Sequence, residues 1–488
     1  MRRSTGTAGP HRLPAELVIT LLGLSAFTAF MLVRPLFSGG PYYRPRYGIG
    51  TSYNWWLIPI FVPYALMLRA VRRGREISLK AVVAGAAIVA VPLLIAPPQL
   101  SQDLYEYLFY AKMLLVHAAN PYTVPPHVFA FDPWYRFARW PDSLYTYGPA
   151  WLLATEGVVA VSARHLTAAM LLAKSLTLAL GAATVWGLVR AVGGQGGSDS
   201  ARVPFAVAAF ALNPLVVSTV ALGGHADAAL AACFVWAVWA DRRRGNPWMA
   251  TVLLTLASLV KAYAAPVLLA YLIGRWRKRG AGHAVRLAAV AGALTIVAFS
   301  PFWVGWHTFA GVIDTGRLTS SSLAGALQGL LARILGAAGV GHGVHAAEIA
   351  IRWGGFAVIL VASVALASSR RIAEEPWRAG AILFAVFLLV TPWFRPWYTV
   401  SLIALVASIP FDPLLAGTLT FSGTSLITVS GLVGPLAQAA VRYGTPAAVY
   451  ARAATGWPSR QHARCRRASP LDLGSNLNCG KSSLRGLP

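Results

Sequence analysis

The chain has 488 residues, of which 57% are hydrophobic and 12% charged, with a mean hydropathy of +0.58. Soluble domains carry about 25% charged residues, so this composition excludes a soluble globular protein and defines an integral membrane protein. The net charge of +26 is spread in short basic clusters between apolar runs. That is the pattern of loops retained in the cytosol, not of a nucleic-acid surface.

The basic N-terminus, residues 1–13, precedes a long apolar run without a small-residue cleavage site, and reads as a cytosolic start and a first span instead of a removed signal. Spans are expected at 14–34, 54–71 and 79–97. Arg69, Arg72, Arg73, Arg75 and Lys80 mark the loop between the last two as cytosolic, so Asp103 emerges outside. The loop 35–52 is also outside by this count, and its Arg34, Arg44 and Arg46 are candidates to meet lipid headgroups or an anionic ligand.

Residues 98–148 form the longest polar interval before the tail. Asp103, Glu106, Asp132 and Asp142 lie in it, and Glu156 just beyond, five of the chain's 16 acids. Its many Trp, Tyr and Pro residues predict a loop folded on the membrane surface. Three apolar runs follow at 149–163, 168–190 and 203–222, an odd count between two positions on the same side, so one must be re-entrant or lie on the surface. Basic clusters at Arg242–Arg244 and Arg275–Arg279 bound a hairpin at 247–274 with Lys261 at its tip, which puts His225 and Asp227 outside as well. The span 284–303 delivers 304–345 outside as a Gly/Ala-rich, amphipathic loop. Arg370, Arg371 and Arg378 send 379–392 outward, so that TPWFRPWY emerges at 391–398. A last apolar region covers 411–440, and the basic tail 456–488 reads as disordered. The fold class is all-α, a polytopic bundle of 11–13 spans over 14–440, with no internal repeat of 20–50 residues.

Four charge clusters thus bring Asp103, His225, Asp227, Lys261 and Arg395 to one membrane face. Asp103 and Glu106 are one turn apart, followed on the same face by Tyr107 and Tyr110. A carboxylate at the water–lipid boundary can take a proton from a sugar hydroxyl, with Glu106 in support. Asp103 reads equally well as a helix cap, and so does Asp227. Lys261 is a lone cation in an apolar hairpin and calls for an anion or an aqueous cavity, unless it snorkels from the tip. His225 and Arg395 are further candidates for a phosphate, while Asp227 can orient His225 or bind an acceptor. Trp397 and Tyr398 offer rings to a sugar or to the interface. The sequence has no Asp-X-Asp, no Walker loop and no metal-spaced His/Cys set; Cys233, Cys465 and Cys479 form no disulfide framework.

SQDLYEY at 101–107, NPY at 120–122, YGP at 147–149, GGHAD at 223–227, LVKAYAAP at 259–266 and PWFRPWY at 392–398 together resemble the actinobacterial polyprenol-phosphate-mannose-dependent α-1,6-mannosyltransferases, membrane enzymes of the GT-C type. The resemblance spans roughly 14–440. It implies an inverting, metal-independent transfer at the outer face of the plasma membrane, from a polyprenyl-phosphate-linked sugar to a lipid-anchored mannan or glycolipid. Asp103 would be the base, Lys261, His225 and Arg395 would meet the donor phosphate, and Asp227, Tyr107, Tyr147, Trp397 and Tyr398 would hold the acceptor. Alternatives are a transferase for another lipid-linked sugar, such as arabinofuranose, and a transporter or flippase, which would tend to show repeated halves. The chain departs from the family in placing three spans before the aspartate, and in its basic, non-apolar tail.

Overall fold

The computed structural model describes residues 13–37, 54–99, 101–194, 199–317, 322–340, 343–409, 413–427, 437 and 439–455. The ends 1–12 and 456–488 lie outside the described residues, as do Arg44 and Arg46. Among the described residues there is no β-strand, and the protein is an all-α polytopic membrane protein.

Three helices open the fold: α1 (Ala15–Phe37), α2 (Phe61–Arg72) and α3 (Leu79–Ala90), the last continued by a 3-10 turn at Val91–Ile95. Ser78 caps α3 by accepting from the Ala81 amide. The far end of α1 is tied to the segment leaving that turn: Gln99 donates to the Met31 carbonyl at 2.8 Å, and Arg34 donates to the Gln99 side chain at 2.7 Å. Arg34, a candidate for lipid or anion contact by sequence, therefore helps to set the path into α4 (Asp103–His117).

Next come α5 (Pro149–Val161), α6 (Leu166–Val192), α7 (Asp199–Ala211) and α8 (Asp227–Arg244). The odd count over 149–223 resolves here. Lys174, early in α6, reaches the Leu93 and Ala96 carbonyls beside the start of α4, while Arg190 near its other end accepts from Arg243 at the end of α8. The long helix α6 therefore begins at the Asp103 end of the molecule, and α5, with only 13 residues, stays at that end. The return path is α7 with Pro214–Leu222, bent by 48°. Asn213 makes the bend tolerable: it caps the Leu215 amide at 3.0 Å and donates to Ser422 at 3.1 Å.

Almost every residue of α8 from Asp227 to Ala240 is buried, which makes it the central helix. The later helices are α9 (Pro247–Val260), α10 (Ala265–Arg279), α11 (Ala281–Phe299), α12 (Leu323–Ala337), α13 (Gly343–Ser368), α14 (Pro376–Val390), α15 (Thr399–Ala407), α16 (Pro413–Thr424) and α17 (Thr445–Thr455), of which α9 and α15 pack on α8 together with α6. The stretch 304–345, expected as a loop, is largely helical in Ala310–Arg317 and α12. Leu323, Leu327, Leu330 and Ile334 recur at helical spacing and offset the low propensity of the glycines between them.

Among the described residues four helices are long and apolar enough to cross a membrane, or five with the bent pair. Six shorter apolar helices accompany them, and the expected 11–13 spans include helices of that length.

Candidate functional site

The site forms where five segments end together. They are the start of α4, the loop 145–148, the turn 223–226 before α8, the tip between α9 and α10, and the segment 391–398 after α14. Ser101 organises the first of these by donating to Asp103 Oδ1 at 2.7 Å while accepting the Asp103 amide at 3.1 Å. Asp103 is thus the first residue of α4, where the helix dipole favours its negative charge. Its other oxygen, Oδ2, lies 3.5 Å from Nδ1 of His225, and its side chain is 19% exposed. That separation is an ion-pair distance and too long for a hydrogen bond, and the buried Nδ1 has no hydrogen-bond partner among the described residues.

The turn that carries His225 depends on Gly224, whose φ of +63° is left-handed. The imidazole stacks on Trp397 with centroids 4.3 Å apart. Burial holds its pKa below the ordinary histidine value; the carboxylates of Asp103 and Asp227 oppose that shift, and Lys261 adds to it.

Asp227 opens α8 fully buried, and its side chain makes no helix cap. Oδ2 accepts from Lys261 Nζ at 2.7 Å, and Oδ1 accepts from the Tyr263 hydroxyl. Lys261 Nζ also lies 5.1 Å from the Tyr147 ring and 5.2 Å from the Tyr398 ring. Its backbone is extended (φ −145°, ψ 123°), and so breaks the hairpin between α9 and α10. Lys261 therefore already has an anion, and a phosphate would have to compete with Asp227 for it.

Gly148 seats Tyr147 against this pair. Its amide donates to the Val260 carbonyl at 3.0 Å, and a Cβ there would fall 1.9 Å from the Leu259 carbonyl oxygen. Tyr107 lies fully buried behind, edge-on to Tyr147 at 4.9 Å and to Trp151 at 5.7 Å. Arg395 lies 4.4 Å over the Trp393 ring and 6.0 Å from the Trp397 ring, with no carboxylate partner among the described residues. A continuous row thus runs Arg395, Trp397, His225, Asp103.

Glu106 turns elsewhere. Its Oε1 accepts the amides of Arg139 and Trp140, clasping the surface loop to α4, and its buried Oε2 has no partner among the described residues. Burial pushes its pKa up to about 7, against the pull of those two amides. Asp132, not singled out by sequence, fastens the same loop: Lys112 donates at 2.8 Å, the Trp134 amide at 2.8 Å, and His117 lies at 3.0 Å. Burial raises its pKa, but the hydrogen bonds from Lys112, the Trp134 amide and His117 outweigh that and hold the carboxyl below the ordinary value.

Sequence reasoning also missed Lys174, which packs behind Gly224 with its ammonium on two backbone carbonyls. A lone cation in the middle of an apolar run was the signal, the same one that exposed Lys261. Among the described residues no three His, Cys, Asp or Glu side chains gather as a metal-binding group.

A half-shielded carboxylate, an imidazole and a guanidinium without a carboxylate partner among the described residues thus meet at one end of a polytopic helical membrane protein. Residues 48–277 match the family described as Alpha-(1->6)-mannopyranosyltransferase, N-terminal domain. Alpha-(1->6)-mannopyranosyltransferase A of Mycobacterium tuberculosis (strain ATCC 25618 / H37Rv) is 28% identical over 253 residues, 50% of this chain and 46% of the relative. The chain thus spans about half the length of the relative that it matches. No solved structure matches. Asp103, Glu106, His225, Asp227 and Lys261 fall within the matched region, whereas Arg395, Trp397 and Tyr398 lie beyond it.

Proposed function

We propose that the protein is a mannosyltransferase that moves mannose from a polyprenyl-monophosphate donor to a lipid-anchored mannan or glycolipid, forming an α-1,6 linkage with inversion at the outer face of the plasma membrane. The observation that carries this reading is the 3.5 Å approach of His225 to Asp103, at a carboxylate that keeps access to solvent. Asp103 takes the proton from the acceptor hydroxyl, and that oxygen attacks the anomeric carbon opposite the phosphate. The bond from the anomeric carbon to the phosphate oxygen breaks, and the negative charge that develops is met by Arg395 and by an N–H of His225.

In this scheme Lys261 holds Asp227 and orients the tyrosines, and its charge is largely spent on that pair. Arg395 contributes the uncompensated positive charge. A monophosphate leaving group asks for less neutralisation than a diphosphate, in keeping with a reaction that needs no metal. Glu106 supports Asp103 from the same helix without touching the acceptor.

The test is transfer from polyprenyl-phosphate mannose in membranes, comparing the wild type with Asp103→Asn. A loss of about a thousandfold is expected with the fold retained, because the acceptor loses its proton sink. An unchanged rate would overturn the assignment. Transfer from the arabinofuranose donor alone would keep the mechanism and replace the sugar. Movement of the lipid across the bilayer without transfer would favour a flippase.

A further inference from the structure

A groove of about 670 Å³ runs between α2, α16 and Phe205 of α7. Along α2 its wall includes the helical stripe Phe61, Ala65, Leu68, Arg69 and Arg72, with Val62, Tyr64 and Leu66 beside it. Phe61 packs on Gly423 and narrows one end, and the two arginines stand at the other.

The polar groups within the groove are already satisfied. Tyr64 donates to the Ala209 carbonyl, Thr420 to Ala416 at 2.8 Å, and Thr424 to Arg442 at 2.9 Å. The body of the groove therefore presents nothing that a polar ligand needs. Its rim presents two exposed guanidiniums without a side-chain partner among the described residues. Arg75 nearby differs, being paired with Glu16 at 3.0 Å, and Arg73 does not line the groove.

From this charge arrangement we propose that the groove seats an acyl chain of an anionic diacyl phospholipid, whose phosphate is held by Arg69 and Arg72. An arginine pair suits one phosphate, and a zwitterionic lipid brings a cation of its own beside that phosphate, whereas an anionic lipid leaves its charge to the two guanidiniums. The residues Leu79–Ile95 run from the arginine end to the approach of Asp103, about 25 Å at helical rise, so a phosphate held by the two arginines is not one seated at Asp103. The inference does not rest on the transferase reading.

Native mass spectrometry of the full chain, titrated with phosphatidylglycerol or phosphatidylcholine, tests it. The wild type should retain phosphatidylglycerol preferentially. Arg69→Gln/Arg72→Gln should weaken that binding by about tenfold or more, since each basic residue near a lipid surface is worth roughly 1 kcal/mol. Ala416→Trp, which fills the groove and leaves the arginines in place, should weaken it as well. Arg73→Gln should leave it unchanged, and all variants should melt like the wild type in phosphatidylcholine. Equal retention of both lipids would overturn the proposal, as would a loss in Arg73→Gln as large as in the double variant. It also fails if Ala416→Trp has no effect, if soluble glycerophosphate competes as well as the lipid, or if a second copy of the chain takes the place of lipid in the spectrum.

Discussion

The central helix α8 carries the same device at both ends, and only one end lies at the proposed site. At its start Asp227 is held by Lys261 and Tyr263; near its finish, about 21 Å away by helical rise, Asp241 is held by Arg275, Tyr271 and Trp377. Each knot is an acid, a cation and a tyrosine, and each ties α8 to the α9–α10 hairpin. The Asp241 carboxylate is fully committed, with Tyr271 and Arg275 sharing one oxygen and the Trp377 indole taking the other, and the capacity left over there is the Arg275 Nε, buried where no substrate reaches it. The Asp227 knot stands beside His225, whose Nδ1 has no hydrogen-bond partner among the described residues, and beside the accessible Asp103. A buried ion pair is therefore no mark of function by itself. The mark is polar capacity left uncommitted where a substrate can reach it.

Removing each acid puts this comparison at risk most directly. Asp227→Ala strands the Lys261 ammonium and Asp241→Ala strands the Arg275 guanidinium, so each should cost about 3–5 kcal/mol in thermal or chemical unfolding. The two should then separate in transfer per folded molecule. Asp227→Ala should lose about 100-fold through misplaced tyrosines and histidine, whereas Asp241→Ala should stay close to wild type. Equal losses of turnover would mean that both knots act only through the fold. A smaller effect is expected of Gly148→Ala. Its new Cβ cannot share space with the Leu259 carbonyl, so Tyr147 must lift from Lys261. Unfolding should register a cost of about 2–3 kcal/mol, and turnover should fall while the Asp241 end keeps its hydrogen-exchange protection. Loosening at both ends would show that the loop 145–148 braces the whole bundle.

How much of this was legible in the sequence depended on distance. Charge clusters sorted the loops by side, which is why Asp103, His225, Asp227, Lys261 and Arg395 could be placed at one face from residues up to 292 positions apart, a reach that pattern alone does not refine into contacts. The partner of Lys261 was illegible because Asp227, 34 residues away, meets it only through the packing of α8 on α9. Likewise the two acids of α4 look equivalent one turn apart, yet Ser101 turns one toward His225 and the amides of 139–140 capture the other. The helices inside 304–345 were hidden by glycines whose low propensity is overridden by apolar spacing. The odd run at 149–163 needed the length of α5 and the anchoring of Lys174 to resolve it.

Glu106 offers the smallest change, because it is a buried acid with no salt bridge among the described residues, the Arg139 charge acting on it only from a distance. Two amides hold one oxygen, and the other is bare. Its folded pKa of about 7 lies above the unfolded carboxyl value, so the folded state keeps the proton longer. Stability is then full below about pH 4.5, falls as pH rises from there to about 7, and stays low above, by up to about 3 kcal/mol. Glu106→Gln keeps an acceptor for both amides and removes the ionisation. It should therefore melt higher than the wild type at pH 8, match it near pH 5, and flatten the slope between. Because Asp103 raises the Glu106 pKa as well, Asp103→Asn should move the wild-type slope slightly toward acid. A melting curve of the wild type that rises from pH 5 to pH 8, with Glu106→Gln following it, would show that the carboxylate is ionised in place and that α4 carries two charged acids at the site instead of one.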